Sequence, residues 1–117
     1  MRAVAAIIGC DINPLHNVGQ LKYLRTKLGA SESDVGEWVV AWITDGLNAV
    51  EALIDEDGLC FGCHPSLADV YLVPLLHVTS RFSLSLEAFP KVVRTATFAS
   101  EHPAFAAAHP SRQLDAE

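Results

Sequence analysis

A chain of 117 residues, half of them apolar, has the material for one core and too little for two. A formal net charge of −6 with no basic cluster excludes nucleic acid as a partner, and no apolar run reaches the roughly 20 residues of a membrane span. Three cysteines, behind a first stretch with no cleavage site or long apolar region, read as reduced thiols in the cytoplasm.

Val4, Ile7, Ile8 and Ile12 recur at helical spacing, so the chain is expected to open in a helix with one buried face. That helix starts on apolar residues without a cap. Asp11 to Pro14 interrupts it, yet Leu15, Val18, Leu21, Leu24 and Leu28 keep a 3.6-residue period, so Pro14 is read as a kink. Gly29 is the expected stop. A second start lies at Ser31 to Asp34, with Ser33 the expected cap and with Asp34 and Glu37 suited to the helix dipole. Val35, Trp38, Val39, Trp42, Ile43, Leu47, Val50 and Leu53 then give an amphipathic helix of five or six turns. Gly36 and Gly46 weaken it intrinsically and point to close packing at one or both. Asp55 to Gly58 ends it in an acidic turn.

Ser66 to Val78 is apolar on every side of a helical wheel, and a helix of that kind is expected to be buried all round. Its start carries S-x-x-D: Ser66 as cap and Asp69 reaching back to the backbone N–H of Ser66 form a capping box. Pro65 is placed to staple against Val70, and Pro74 should bend the helix. Arg81 and Phe82 fall at its end. Ser83 to Ala88 reads as a loop, Pro90 to about Ser100 as a helix, and Ala104 to Ala108 as a short helix ended by Pro110, before a polar tail. No strand pattern is present. The class is all-α, five or six helices around a buried central helix.

Cys60-Phe61-Gly62-Cys63-His64 matches the C-x-x-C-H attachment site of c-type haem, with His64 as one axial ligand and Met1 or another histidine as the second. The same residues could hold zinc, although no fourth ligand is near in sequence. A Cys60–Cys63 disulfide under oxidation, or two plain loop cysteines beside a helix cap, are the other readings. His77 reads as a core or cleft residue, and His102 and His109, each before a proline, as turn residues. Arg81 has two readings. It either binds the last carbonyls of its own helix, or it clamps a carboxylate at the mouth of a cleft.

Two stretches carry a resemblance. C-D-I-N-P-L-H-N-V-G-Q-L-K-Y-L at Cys10 to Leu24 is similar to C-D-I-H-P-L-N-N-L-R-V-L-K-Y-L of the zeta-class glutathione transferases, the maleylacetoacetate and maleylpyruvate isomerases. Gly62 to Pro74 resembles their G-D-x-P-T-L-A-D-x-x-L-V-P, and Arg81-Phe82 falls on their R-F. Pro103 to Asp115 resembles their A-F-x-x-A-x-P-x-x-Q-P-D tail. Trp42-Ile43 with Gly46-Leu47 also fits.

The resemblance implies the helical C-terminal domain of such a transferase. The family's thioredoxin-like domain of about 80 residues, which binds glutathione and carries a serine for its thiolate, has no room here beside the helices. Met1 would then fall inside the first helix of the second domain. The family reaction is glutathione-dependent cis–trans isomerisation of a small dicarboxylate or related keto acid. By position, Arg81 would anchor a substrate carboxylate, with Asn17 and His16 at the cleft between the domains. The chain departs from the pattern at Gly19, where many members have Arg, and at His16, Cys63 and Leu75. A chain of this kind is expected to be inactive alone and to bind no cofactor by itself. It would pair with a thioredoxin-like partner or with a second copy. The alternative is a helical protein-interaction module without catalysis.

Overall fold

The computed structural model describes residues 1–116; Glu117, the end of the polar tail, lies outside the described residues. The body is built on one long helix, α3 (Glu32–Leu53), whose Val35, Val39, Ile43, Leu47 and Val50 form a stripe with at most 1% of their surface exposed. Against that stripe pack Val4, Ile8 and Ile12 from the start of the chain, Leu72 and Leu75 from α4 (Leu67–Arg81) and Val92 from α5 (Pro90–Glu101). Two short helices complete the set, α2 (Val18–Lys27) and α6 (Pro103–Ala108), with α1 (Arg2–Ala6) opening the chain. Principal extents of 45 × 35 × 24 Å make a slab about two helix diameters thick. Among the described residues there is no strand, only isolated bridges at Gly58, Leu59 and Gly62, so the all-α expectation holds. None of the helices is long and apolar enough to cross a membrane.

The first helix is not a simple kinked rod. After α1 the backbone widens into a π-helix, Ile7–Ile12, and then tightens into a 3-10 turn, Asn13–His16. Pro14 accounts for this. It has no N–H to give and its ring crowds the carbonyl of Cys10, so the ladder shifts register, and the N–H of Asn13 donates to the carbonyl of Ile8. Asn17 is extended, with ψ 149°, and α2 starts afresh after it. The proline therefore ends the helix, where the continuing period had pointed to a kink. Of the α2 stripe, only Leu21 is buried; Val18 and Leu28 are 83% and 67% exposed. Gly29 does stop α2, in the left-handed region at φ 67°.

Gly46 and Gly36 separate cleanly. A Cβ on Gly46 would run into the side chain of Ile12, so this glycine is where α3 and the π-helix meet. Gly36 faces open space, and close packing there is not found. The cap of α3 is Ser31, not Ser33. The Ser31 N–H and hydroxyl both donate to Asp34 Oδ2 at 2.7 Å, and Asp34 N–H returns a bond to Ser31 Oγ at 3.1 Å. A reciprocal capping box on Ser33 would need a side-chain acceptor at Gly36, which has none.

The largest correction concerns α4. It is flanked by α1, the π-helix and α5, and its Ala68, Asp69, Leu72, Leu75 and Thr79 are buried. Its other side is uncovered: Leu67, Val70 and Tyr71 are 48%, 54% and 38% exposed. All-round hydrophobicity describes the helix correctly, but on that side, among the described residues, only the Tyr71 ring meets a neighbour, lying against Gly9 of the π-helix. The expected Pro65–Val70 staple is likewise exposed at both members. The centre of the core is instead the buried stripe of α3.

Candidate functional site

α4 brings the chemistry of the chain to its two ends. At the N-terminal end, Ser66 and Asp69 form the expected capping box. Asp69 Oδ2 accepts from the Ser66 N–H at 2.8 Å and from its hydroxyl at 2.7 Å, while Oδ1 accepts from the N–H of Cys60 at 2.8 Å. One fully buried carboxylate thus ties the helix start to the Gly58–Cys63 turn. Burial pushes its pKa up, but the bonds from Cys60 and Ser66 outweigh burial and hold it below the usual Asp value. Arg94 braces the same turn from outside, donating to the carbonyls of Gly58 at 3.0 Å and Asp55 at 2.7 Å.

The same geometry separates the two cysteines of the C-x-x-C-H stretch. Cys60 is wholly buried in the core, and burial, with the Asp69 charge beside it, pushes its thiol pKa far up. In this fold the Cys60 thiol is a core side chain, turned away from solvent. Cys63 and His64 are exposed, both cysteines are free, and no group of three metal-ligating side chains is present among the described residues. The plain reading, loop cysteines beside a cap, is the one the geometry matches.

At the C-terminal end, the helix closes without help from Arg81. Ser83 sits in the left-handed region at φ 54°. Its N–H donates to the Ser80 carbonyl at 3.4 Å, and the N–H of Leu84 donates to the Thr79 carbonyl at 3.2 Å. These two bonds make a Schellman motif, with serine in the place usually taken by glycine. The last carbonyls are therefore served by backbone. Arg81 is exposed and makes no hydrogen bond or ion pair among the described residues. The self-binding reading of Arg81 falls, and a guanidinium remains ready for an external partner.

His16 and Asn17 lie elsewhere, at the break before α2. Asn17 is the N-cap of α2 by position, yet its side chain makes no capping bond and is exposed. His16 is half-buried, its Nε2 buried without a hydrogen-bond partner among the described residues. Burial lowers its pKa, partly offset by a backbone hydrogen bond. No hydrogen bond or ion pair joins either residue to Arg81. A cavity of about 410 Å³ opens beside this break, lined by Cys10, Asp11, Trp42 and Asp45 among others, and by none of the three predicted site residues. Its two carboxylates make it a poor place for a dicarboxylate.

Two further roles escaped sequence reasoning. Glu51 of α3 accepts from the N–H groups of Lys91 at 2.8 Å and Val92 at 3.0 Å, capping a helix 40 residues away. His102 and His109 are caps as well: their Nδ1 atoms accept from the N–H of Ala104 and of Ser111. The histidine-proline pairs carried the signal for turns but not for this bond.

This helical body superposes on solved glutathione transferases over 92% or more of its length. No protein-family model matches the chain. It is, however, 51% identical over 114 residues to the maleylacetoacetate isomerase of Pseudomonas aeruginosa, a match that spans 97% of this chain and 53% of that protein. It is 40% identical to the maleylpyruvate isomerase of a Ralstonia species, over 98% of this chain and 56% of that one. A holo structure of maleyl pyruvate isomerase, a bacterial zeta-class glutathione transferase, superposes with a TM-score of 0.94 at 40% identity, covering 99% of this chain and 57% of that one. The Anaeromyxobacter dehalogenans maleylacetoacetate isomerase with bound dicarboxyethyl glutathione and citrate superposes with a TM-score of 0.90 at 38% identity, over 99% and 52%. The chain spans about half the length of the curated relatives it matches. Over that length it belongs with the C-terminal part of the zeta-class glutathione transferases.

Proposed function

We propose that the chain is the helical, substrate-pocket portion of a cytoplasmic glutathione-dependent isomerase acting on a small dicarboxylate of the maleylacetoacetate or maleylpyruvate kind. The observation that carries this reading is Arg81: a cation at a helix end whose carbonyls are already closed by backbone, falling on the R-F of the family. A guanidinium binds a carboxylate through two parallel hydrogen bonds, which fixes the orientation of the substrate as well as its position. By the family's pattern, Asn17, whose side chain makes no capping bond, would offer its amide at the cleft between the domains, with His16 beside it. Glutathione, when bound, supplies the thiol whose reversible addition lets the double bond rotate. In the parent family that chemistry belongs to the thioredoxin-like domain, so the 117 residues alone are expected to be inactive. The relative that holds dicarboxyethyl glutathione and citrate supports a polycarboxylate ligand.

The exposed Leu67, Val70 and Tyr71 side of α4 is the surface we assign to docking, on a thioredoxin-like domain or a second copy of the chain. A strict monomer by light scattering, with no binding of such a domain, would count against it. The test of function is to join the chain to the glutathione-binding domain of one of the isomerases it matches and to assay maleylpyruvate isomerisation. Glutathione-dependent turnover by the fusion, and none by the chain alone, is expected. A soluble, folded fusion without turnover would favour the interaction module instead.

A further inference from the structure

Between α4 and the C-terminal segment lie two adjoining cavities, of about 400 and 240 Å³, that share Val73, His77, Phe105 and His109. Their walls are mainly aliphatic and aromatic, and the larger is also lined by Arg112. A guanidinium and two imidazoles therefore converge on an apolar hollow in a molecule whose formal net charge is −6. No carboxylate lines either cavity, and Arg112 has no ion-pair partner among the described residues. Asp115 lines a third, neighbouring cavity, so an anion would be favoured on the Arg112 side.

The histidines are held in a defined way. The rings of His77 and His109 meet edge to face, with centroids 5.8 Å apart and planes at 83°. His109 Nδ1 accepts from the N–H of Ser111 at 3.2 Å and lies 2.8 Å from its hydroxyl. An imidazole whose Nδ1 accepts a hydrogen bond has its N–H at Nε2. The cap of the last turn thus fixes the ring on a cavity that Arg112 also lines. His77 stands one helical turn before Arg81 on α4, so the hollow borders the predicted anchor without including it.

We propose that this hollow binds a small carboxylate with an apolar body, its carboxylate between Arg112 and His109 and its body against Val73 and Phe105. The inference does not depend on the isomerase reading, and it is tested without glutathione. Benzoate is titrated into the isotopically labelled chain and followed by amide chemical shifts, with benzamide as the uncharged analogue. Saturable shifts centred on His77, Phe105, His109 and Ser111, with a Kd of about 1 mM as suits a ligand of this size, are expected. Benzamide should bind at least about tenfold more weakly, the loss of a charge-assisted bond. Arg112→Gln should weaken benzoate by a similar factor while leaving the thermal midpoint unchanged. Equal binding of benzoate and benzamide, shifts centred elsewhere, no saturation, or full benzoate affinity in Arg112→Gln would each overturn the assignment.

Discussion

The two ends of α4 treat charge in opposite ways. At the start, every oxygen of the Asp69 carboxylate is spoken for by Cys60 and Ser66, out of contact with water. At the finish, the backbone closes on itself through Ser80, Thr79 and a left-handed Ser83, and the Arg81 guanidinium is left in solvent. An ionised group surrounded by internal partners is committed to the fold. One whose structural work is done by other atoms is available for chemistry. The same helix therefore carries one committed charge and one uncommitted charge, 12 residues apart in sequence.

The contrast is most sharply tested at its fixed end. Asp69→Ala should cost about 3 kcal/mol or more in urea unfolding, because it strands two backbone donors and a hydroxyl in a dry site. The exposed twin of this box is the control: Asp34→Ala should cost about 1 kcal/mol. Equal losses would mean that burial adds nothing to the motif. Thiol labelling gives a second readout, since Cys10 and Cys63 are exposed and Cys60 is buried. Two cysteines should react in the native chain, and the third only on unfolding or in the Asp69 variant.

Acid titration sharpens the same point. Asp69 is held below its ordinary pKa, so its ionised form favours the fold. That contribution is present above the ordinary carboxylate range and is lost as pH falls through the depressed value. Asp69→Asn should flatten this acid limb more than Asp34→Asn does. His16 acts at higher pH. Its burial favours the neutral ring, so the unfolded chain takes up the proton first and stability falls as pH drops below about 6.5. His16→Gln should remove that slope, seen as a thermal midpoint that no longer declines between about pH 7 and 5. The smallest effect belongs to the other end of α4. Ser83→Gly relieves a left-handed serine and should stabilise by about 0.5 kcal/mol. A loss there would mean that the serine side chain, and not the backbone turn, holds the helix end.

Much of this was legible in the sequence, and the failures have physical causes. The period of α3, the S-x-x-D box of α4 and the stop at Gly29 are local rules, and the structure follows them. Ser31 was missed because two serines compete for one cap and the deciding partner, Asp34, stands three residues from only one of them. The wet side of α4 was missed because a helical wheel records which side chains are apolar, not how many neighbours a chain of this length can place around them. Glu51 was out of reach for another reason: its acceptor role depends on two helices meeting 40 residues apart. Arg81 was singled out in advance, but what removed its self-binding reading was the backbone turn at Ser83, which a serine does not announce.

Arg81 also offers the most direct measurement. In the chain joined to a glutathione-binding domain, Arg81→Ala should lower kcat/KM for maleylpyruvate by about 10- to 100-fold, the worth of a charge-assisted carboxylate bond, with the thermal midpoint unchanged and Arg81→Lys recovering only part of the loss. Undiminished kcat/KM in Arg81→Ala, or a loss that merely follows a fall in thermal midpoint, would contradict the division of labour between the two ends of this helix.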